Sequence, residues 1–168
     1  MNDVFGSAIL DYQEGNYTED LVTSTSISED DTLALPYLFR TFSEMPSLEQ
    51  TALKLSKGRV LDIGCGAGSH SLHLISKGLN VKSIDISEGA IKACQLRGLK
   101  SAHVLDVMNE TATFDTLLLL MNGSGIFQSL AHTPLVLNHL KTLLNPKGQI
   151  LIDSSDIKYM YQDDDRGY

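Results

Sequence analysis

Three glycines at alternate positions, Gly64, Gly66 and Gly68, lie among acids. Asp62 stands two residues before the first glycine, Asp85 follows it by 21 residues, and Asp106 lies further on. Glycines in this pattern let a backbone turn sharply and approach a ligand with no Cβ in the way. A helix that follows such a loop points its free N–H groups at the same ligand. The chemistry that suits this is the binding of a pyrophosphate or of another adenosine-containing cofactor. Spacing bears on which. The dinucleotide pattern G-x-G-x-x-G needs a third glycine at position 69, where the chain has Ser69. Asp62 sets a negative charge beside the loop, which repels a pyrophosphate and attracts a ligand bearing an ammonium and a sulfonium. Its other reading is that it bonds backbone N–H groups and holds the turn. Asp85 suits a carboxylate accepting both ribose hydroxyls, as in nicotinamide enzymes too, or else a cap on the helix after it. Asp106 suits a carboxylate accepting from the exocyclic amine of adenine, or an ordinary solvated loop acid.

These residues need elements to hold them. Residues 60–63 form a short apolar run that leads into the glycine loop, and residues 69–77 read as the helix after it. Residues 81–86 read as a strand, and Ser87 caps a helix running to Arg97. Strands follow at 102–105 and 114–121, then a helix over 134–144 with Thr133 as its cap and Pro134 in the first turn. A turn at Asn145-Pro146-Lys147-Gly148 leads to a last strand at 149–153. Near-continuously apolar strands alternating with helices predict an α/β, Rossmann-like doubly wound fold, with a mainly parallel sheet covered on both faces. Residues 1–57 read as an N-terminal helical cap segment and 58–168 as the core. Within the cap, residues 1–32 look polar and irregular, and Ser28-Glu29-Asp30-Asp31 reads as a helix start. Two short helices are expected, over 35–44 and from Ser47, where Ser47-Leu48-Glu49-Gln50 has capping-box form, to Gly58 with Lys57 in the last turn.

The stretch Val60-Leu61-Asp62-Ile63-Gly64-Cys65-Gly66-Ala67-Gly68 resembles the first motif of class I S-adenosylmethionine-dependent methyltransferases. Ser83-Ile84-Asp85-Ile86-Ser87 resembles their second motif, and Val104-Leu105-Asp106-Val107 their adenine-side motif. Residues 114–121 and 143–152 are similar to the family's fourth strand and the helix–turn–strand after it. The resemblance implies S-adenosylmethionine as cofactor. Asp62, Gly64, Cys65, Gly66 and Gly68 would then border the methionine moiety, and Asp85 would bind the ribose. Ile86 would pack on adenine, Asp106 and Val107 would flank it, and Asn122 would lie near the sulfonium. Asn122 before Gly123 is equally a loop-former. The family's sheet has seven strands and only five are expected here. The fifth therefore becomes an apolar edge, covered by another chain or by a homo-oligomer contact, unless the chain is a shortened form of a longer enzyme.

Composition narrows the partners. At 168 residues the chain is long enough for one domain with its own core. A net charge of −8 offers no basic footprint for nucleic acid. No apolar run of about 18 residues suggests a membrane span, and no signal peptide is expected. Two cysteines make no disulfide framework, so a cytoplasmic setting is expected. His70 and His73 do not make a metal site by themselves. His132 reads as a base or as a solvated loop residue. Tyr12 and Tyr17 read either as a cover for the sulfonium or as surface packing. The function expected is methyl transfer to a small-molecule acceptor. A NAD(P)-dependent oxidoreductase and a non-catalytic cofactor-binding module are the alternatives.

Overall fold

The computed structural model describes residues 3–25 and 29–156. Its centre is a five-stranded parallel sheet of order β5-β4-β3-β6-β7. The strands are β3 (Arg59–Ile63), β4 (Asn80–Asp85), β5 (Ala102–Val104), β6 (Phe114–Leu119) and β7 (Leu144–Ile152). The helices α4 (Ser69–Ser76), α5 (Glu88–Leu96) and α6 (Thr133–Thr142) connect them. Pleating sends alternate residues to opposite faces. Leu61 and Ile63 join Leu117, Leu119, Val136 and Leu140 on one face. Val60 joins Leu118, Leu120, Leu74 and Leu53 on the other. A sheet buried on both sides explains why its strands read as unbroken apolar runs. The strand order reverses between β3 and β6, and at such a switch point a crevice opens beyond the carboxyl ends of the strands. The glycine loop leaves β3 there.

The amino-terminal part is more ordered than its composition suggests. Residues 4–14 form a helix, α1 (Val4–Glu14), where an irregular stretch is expected from sequence. Asp31 begins no helix: β2 (Asp31–Leu33) pairs antiparallel with β1 (Leu21–Thr23), and Ser28 lies outside the described residues. The helix expected over 35–44 splits into α2 (Leu35–Leu38) and a 3₁₀ turn, Phe42–Glu44. The break comes where the Thr41 N–H donates back to the Glu44 carboxylate at 2.7 Å and starts a new turn. The next helix, α3 (Ser47–Leu55), lacks the expected capping box and stops short of Lys57. Gln50, which would close that box, instead donates its Nε2 to the Met45 carbonyl at 2.8 Å.

In the core the boundaries agree within a residue or two, except that β7 begins at Leu144 rather than at 149. Ser87 caps α5 by accepting from the Ala90 N–H. Thr133 is the first residue of α6 rather than its cap, and its hydroxyl donates to the Ser129 carbonyl. The turn expected at 145–148 is a bulge inside β7, where the register against β6 shifts between Phe114 and Thr116 and Lys147 takes φ +65°. Among the described residues, no helix is long and apolar enough to cross a membrane.

Candidate functional site

The glycine loop is fastened from behind. The Gly66 N–H donates to Asp85 Oδ2 at 2.9 Å, and Asp85 Oδ1 accepts from the Ser87 N–H at 2.9 Å. One carboxylate thus ties the loop to the start of α5. Gly64 takes φ +71°, in the left-handed region that favours glycine. A Cβ there would lie 3.3 Å from Ile126, so the absent side chain also leaves room beside the β6 loop.

Two cavities open on either side of this loop. The first, of 480 Å³, is bordered by Ile84, Asp85, Ile86, Asp106, Val107 and Asn122. Its shape is an apolar slot with two carboxylates at its rim. Asp106 is oriented by its own turn, accepting from the Met108 N–H at 2.9 Å. The second cavity, of 640 Å³, is bordered by Gly66, Tyr37, Arg40, His70 and Met121. Gly64 and Asn122 belong to both, so the two cavities meet at this pair.

The structure brings together most of the residues singled out from sequence, but not all in the manner expected. Asp62 and Gly68 border neither cavity. Asp62 shares the β3 face of Val60, and that face looks at α4. Its Oδ2 accepts from the Ser71 hydroxyl at 2.6 Å, and Ser71 in turn meets Ser83 at 2.7 Å. Burial pushes the Asp62 carboxyl above its ordinary range, with neighbouring His70 and Ser71 opposing. Gly68 is a packing glycine: a Cβ there would lie 2.4 Å from Leu99 and 2.9 Å from the Cys94 sulfur. Cys65 borders the second cavity, yet its thiol turns inward to Cys94, 3.9 Å away. The Cys94 contact and burial raise it far above a usual thiol. Tyr12 packs against Tyr17 and Phe39, with ring centroids 5.3 and 4.5 Å apart, and neither tyrosine borders either of these two cavities. His73 stacks on Phe42, and burial lowers its pKa. Among the described residues, no group of three or more His, Cys, Asp or Glu could hold a metal.

Sequence reasoning missed a buried charge cluster at the second cavity. Glu49 Oε2 accepts from Arg40 at 2.5 Å and meets His70 Nε2 at 2.7 Å. Burial alone would raise the Glu49 pKa, but the His70 and Arg40 hydrogen bonds and charges outweigh it, and the net shift is downward. The Arg40 guanidinium also donates to the Tyr37 carbonyl and lies 3.9 Å over the Tyr37 ring. Among the described residues its Nε is buried without a hydrogen-bond partner. A desolvated donor of this kind is costly to leave unpaired. The capping-box form at Ser47 concerns Gln50, so it gave no sign of where the Glu49 side chain goes. His132, near the β6 loop, borders the first cavity.

Comparison with known proteins agrees with this geometry. Residues 54–166 match a family model described as a methyltransferase domain. A ubiquinone biosynthesis O-methyltransferase of Bordetella parapertussis is 41% identical over 59 residues, which is 35% of this chain and 24% of that enzyme. A putative methyltransferase of Bacillus subtilis, YqeM, is 32% identical over 113 residues, covering 58% of this chain and 42% of that protein. The matched stretches thus span less than half the length of these curated relatives. Among solved structures, a SAM-dependent methyltransferase from Bacteroides fragilis in complex with S-adenosyl-L-homocysteine superposes with a TM-score of 0.91 at 41% identity. That match covers 99% of this chain and 70% of the other.

Proposed function

The chain belongs to the methyltransferase-domain family, and from that premise we propose that it binds S-adenosylmethionine across its two cavities and passes the methyl group to a small-molecule acceptor. The observation that carries the reading is the meeting of two unlike cavities at Gly64 and Asn122. One is an apolar slot with carboxylates suited to a ribose and an adenine amine. The other runs along the glycine loop and is bordered by Arg40. A ligand with a nucleoside at one end and an amino acid at the other fits both, with its sulfur at the junction. The S-adenosyl-L-homocysteine held by the Bacteroides fragilis neighbour supports the same cofactor here.

In this reading Asp85 and Asp106 hold the nucleoside, with Ile84, Ile86 and Val107 as its apolar walls. Gly64 and Gly66 admit the backbone close to the amino-acid end, and Arg40 faces its carboxylate. Asp62 and Gly68 act from behind the loop. When bound, the cofactor supplies a methyl group already activated on a sulfonium, for in-line transfer to a nucleophile. The protein's share is then position and electrostatics, with no base required of an acceptor that is nucleophilic at neutral pH. A chain with net charge −8 suits a small acceptor better than nucleic acid. A chain with only two cysteines suits a reducing, cytoplasmic setting.

The dinucleotide alternative loses its ground, since the chain belongs to the methyltransferase-domain family. Calorimetric titration with S-adenosylhomocysteine and with NADH tests the cofactor. Saturable binding of the first and none of the second is expected; the reverse sinks the proposal. Transfer of a labelled methyl group from S-adenosylmethionine to a metabolite fraction tests turnover. Tight cofactor binding without transfer to any fraction would instead favour a binding module.

A further inference from the structure

Asn122 belongs to both cavities, yet nothing in its own backbone explains why it stays at their junction. Met121 and Asn122 take φ +62° and +63°, two consecutive non-glycine residues in the left-handed region. Such a pair costs conformational free energy and persists only where its surroundings hold it. The holding group comes from another strand. Asp153, just past β7, accepts from the Met121 N–H through Oδ2 at 3.0 Å and from the Gly123 N–H through Oδ1 at 2.9 Å. Its own N–H donates to the Leu119 carbonyl, and its carbonyl accepts from the Ser124 N–H, both at 3.2 Å. A single residue therefore grips the turn on both sides of Asn122. Two residues on, the Ser155 hydroxyl donates to Asn122 Oδ1 at 2.7 Å. That bond orients the carboxamide and leaves its Nδ2 as the end available to a ligand.

We propose that Asp153 is a positioning residue of the site: its carboxylate clamps the Met121 and Gly123 N–H groups so that Asn122, steered further by Ser155, stands at the junction where the cofactor's sulfur and the acceptor meet. The proposal rests on the cofactor reading above for what occupies that junction. Asp153 itself borders the second cavity. Each of its carboxylate oxygens is already committed to a backbone N–H, so its role runs through the turn rather than through direct contact. The space confirms the tightness of the grip. A Cβ on Gly123 would lie 2.7 Å from the Leu119 Cβ, so the chain at 123 has no slack with which to rebuild the turn.

The test uses Asp153→Ala, Asp153→Asn and Ser155→Ala in the full chain, with amide hydrogen exchange and titration with S-adenosylhomocysteine as separate readouts. Asp153→Ala is expected to lose tenfold or more of the exchange protection at Met121 and Gly123 and to weaken binding about tenfold. Asp153→Asn keeps one acceptor oxygen, so partial rescue of both is expected. Ser155→Ala is expected to weaken binding while leaving protection at Met121 and Gly123 intact, which a merely structural role for this segment would not produce. Folded Asp153→Ala with wild-type affinity and protection overturns the proposal. If that variant does not fold, wild-type behaviour of both Asp153→Asn and Ser155→Ala overturns it equally. A wild-type chain that binds no S-adenosylhomocysteine overturns the cofactor reading instead, and the exchange at Met121 and Gly123 still decides whether the clamp exists.

Discussion

Asp62 stands in the motif where a cation-attracting acid is expected, but its carboxylate points into the α4 face of the core. Charge acts through space, so the two readings of this residue separate by measurement. S-adenosylmethionine carries a sulfonium charge that S-adenosylhomocysteine lacks. If Asp62 attracts that charge, Asp62→Asn reduces the preference for the charged cofactor by up to about tenfold, the scale of one charge interaction in a protein interior. An unchanged ratio of the two affinities leaves Asp62 as a turn-holder bonded to Ser71. Stability gives a second readout. Burial raises the Asp62 pKa in the folded chain. The stability linked to its protonation is therefore complete below the ordinary carboxylate range and is lost as pH rises through the raised value. Asp62→Asn abolishes that loss, because an amide still accepts from Ser71 and never ionises. Melting temperatures across pH 4 to 8 are expected to fall with rising pH more in the wild type than in the variant. Parallel curves would refute the assignment.

At the scale of elements, the sheet and its helices were legible because burial on both faces forces apolar runs that no loop shows. The helix α1 was not, for a physical reason. Only Gly6 and Ile9 of its residues are buried, so almost no apolar stripe records it. Its contact is backbone against backbone: a Cβ on Gly89 would lie 2.4 Å from the Gly6 carbonyl carbon and oxygen. One carboxylate serves both helices there, Asp3 accepting from Gly6 in α1 and from the Ser87 hydroxyl and the Gly89 N–H of α5. The hairpin of β1 and β2 escaped notice likewise, since three-residue exposed strands carry no alternation. The Arg40–Glu49–His70 cluster joins residues from three separate segments, and no local spacing announces it. The α1 contact makes a sharp prediction. Gly89→Ala sets a methyl against backbone that no rotamer can move, costing about 1–3 kcal/mol. Thermal melts are expected to shift down accordingly, and chymotrypsin is expected to cut sooner at Phe5 and Tyr12 as α1 lifts. Unchanged melting and unchanged cleavage would contradict this packing.

The whole molecule has two sheet edges that differ in their consequences. β5 has three residues and offers little to pair with, whereas β7 has nine. Beyond its bulge, residues 149–152 present backbone groups on the side away from β6. Beside them runs an apolar groove of 350 Å³ between α3 and β7, bordered by Leu48, Leu55, Leu120, Leu151 and Ile152. Among the described residues no strand pairs with that side of β7, and a docking strand there would satisfy the backbone and bury apolar surface in one step. Nearby charge does little to oppose this, since the groove's bordering residues are apolar or small apart from Asp153, whose oxygens are already bonded. The chain is therefore expected to self-associate through this side. Sedimentation velocity should show a mass that rises with concentration over the micromolar range. Leu55, exposed on α3 and bordering neither cofactor cavity, allows the surface to be altered without touching the strand. Leu55→Lys sets a charge in the groove and is expected to shift the distribution toward monomer while leaving S-adenosylhomocysteine affinity unchanged. A wild-type monomer at every concentration would remove β7 as a contact surface, whereas self-association indifferent to Leu55→Lys would move the contact to another face.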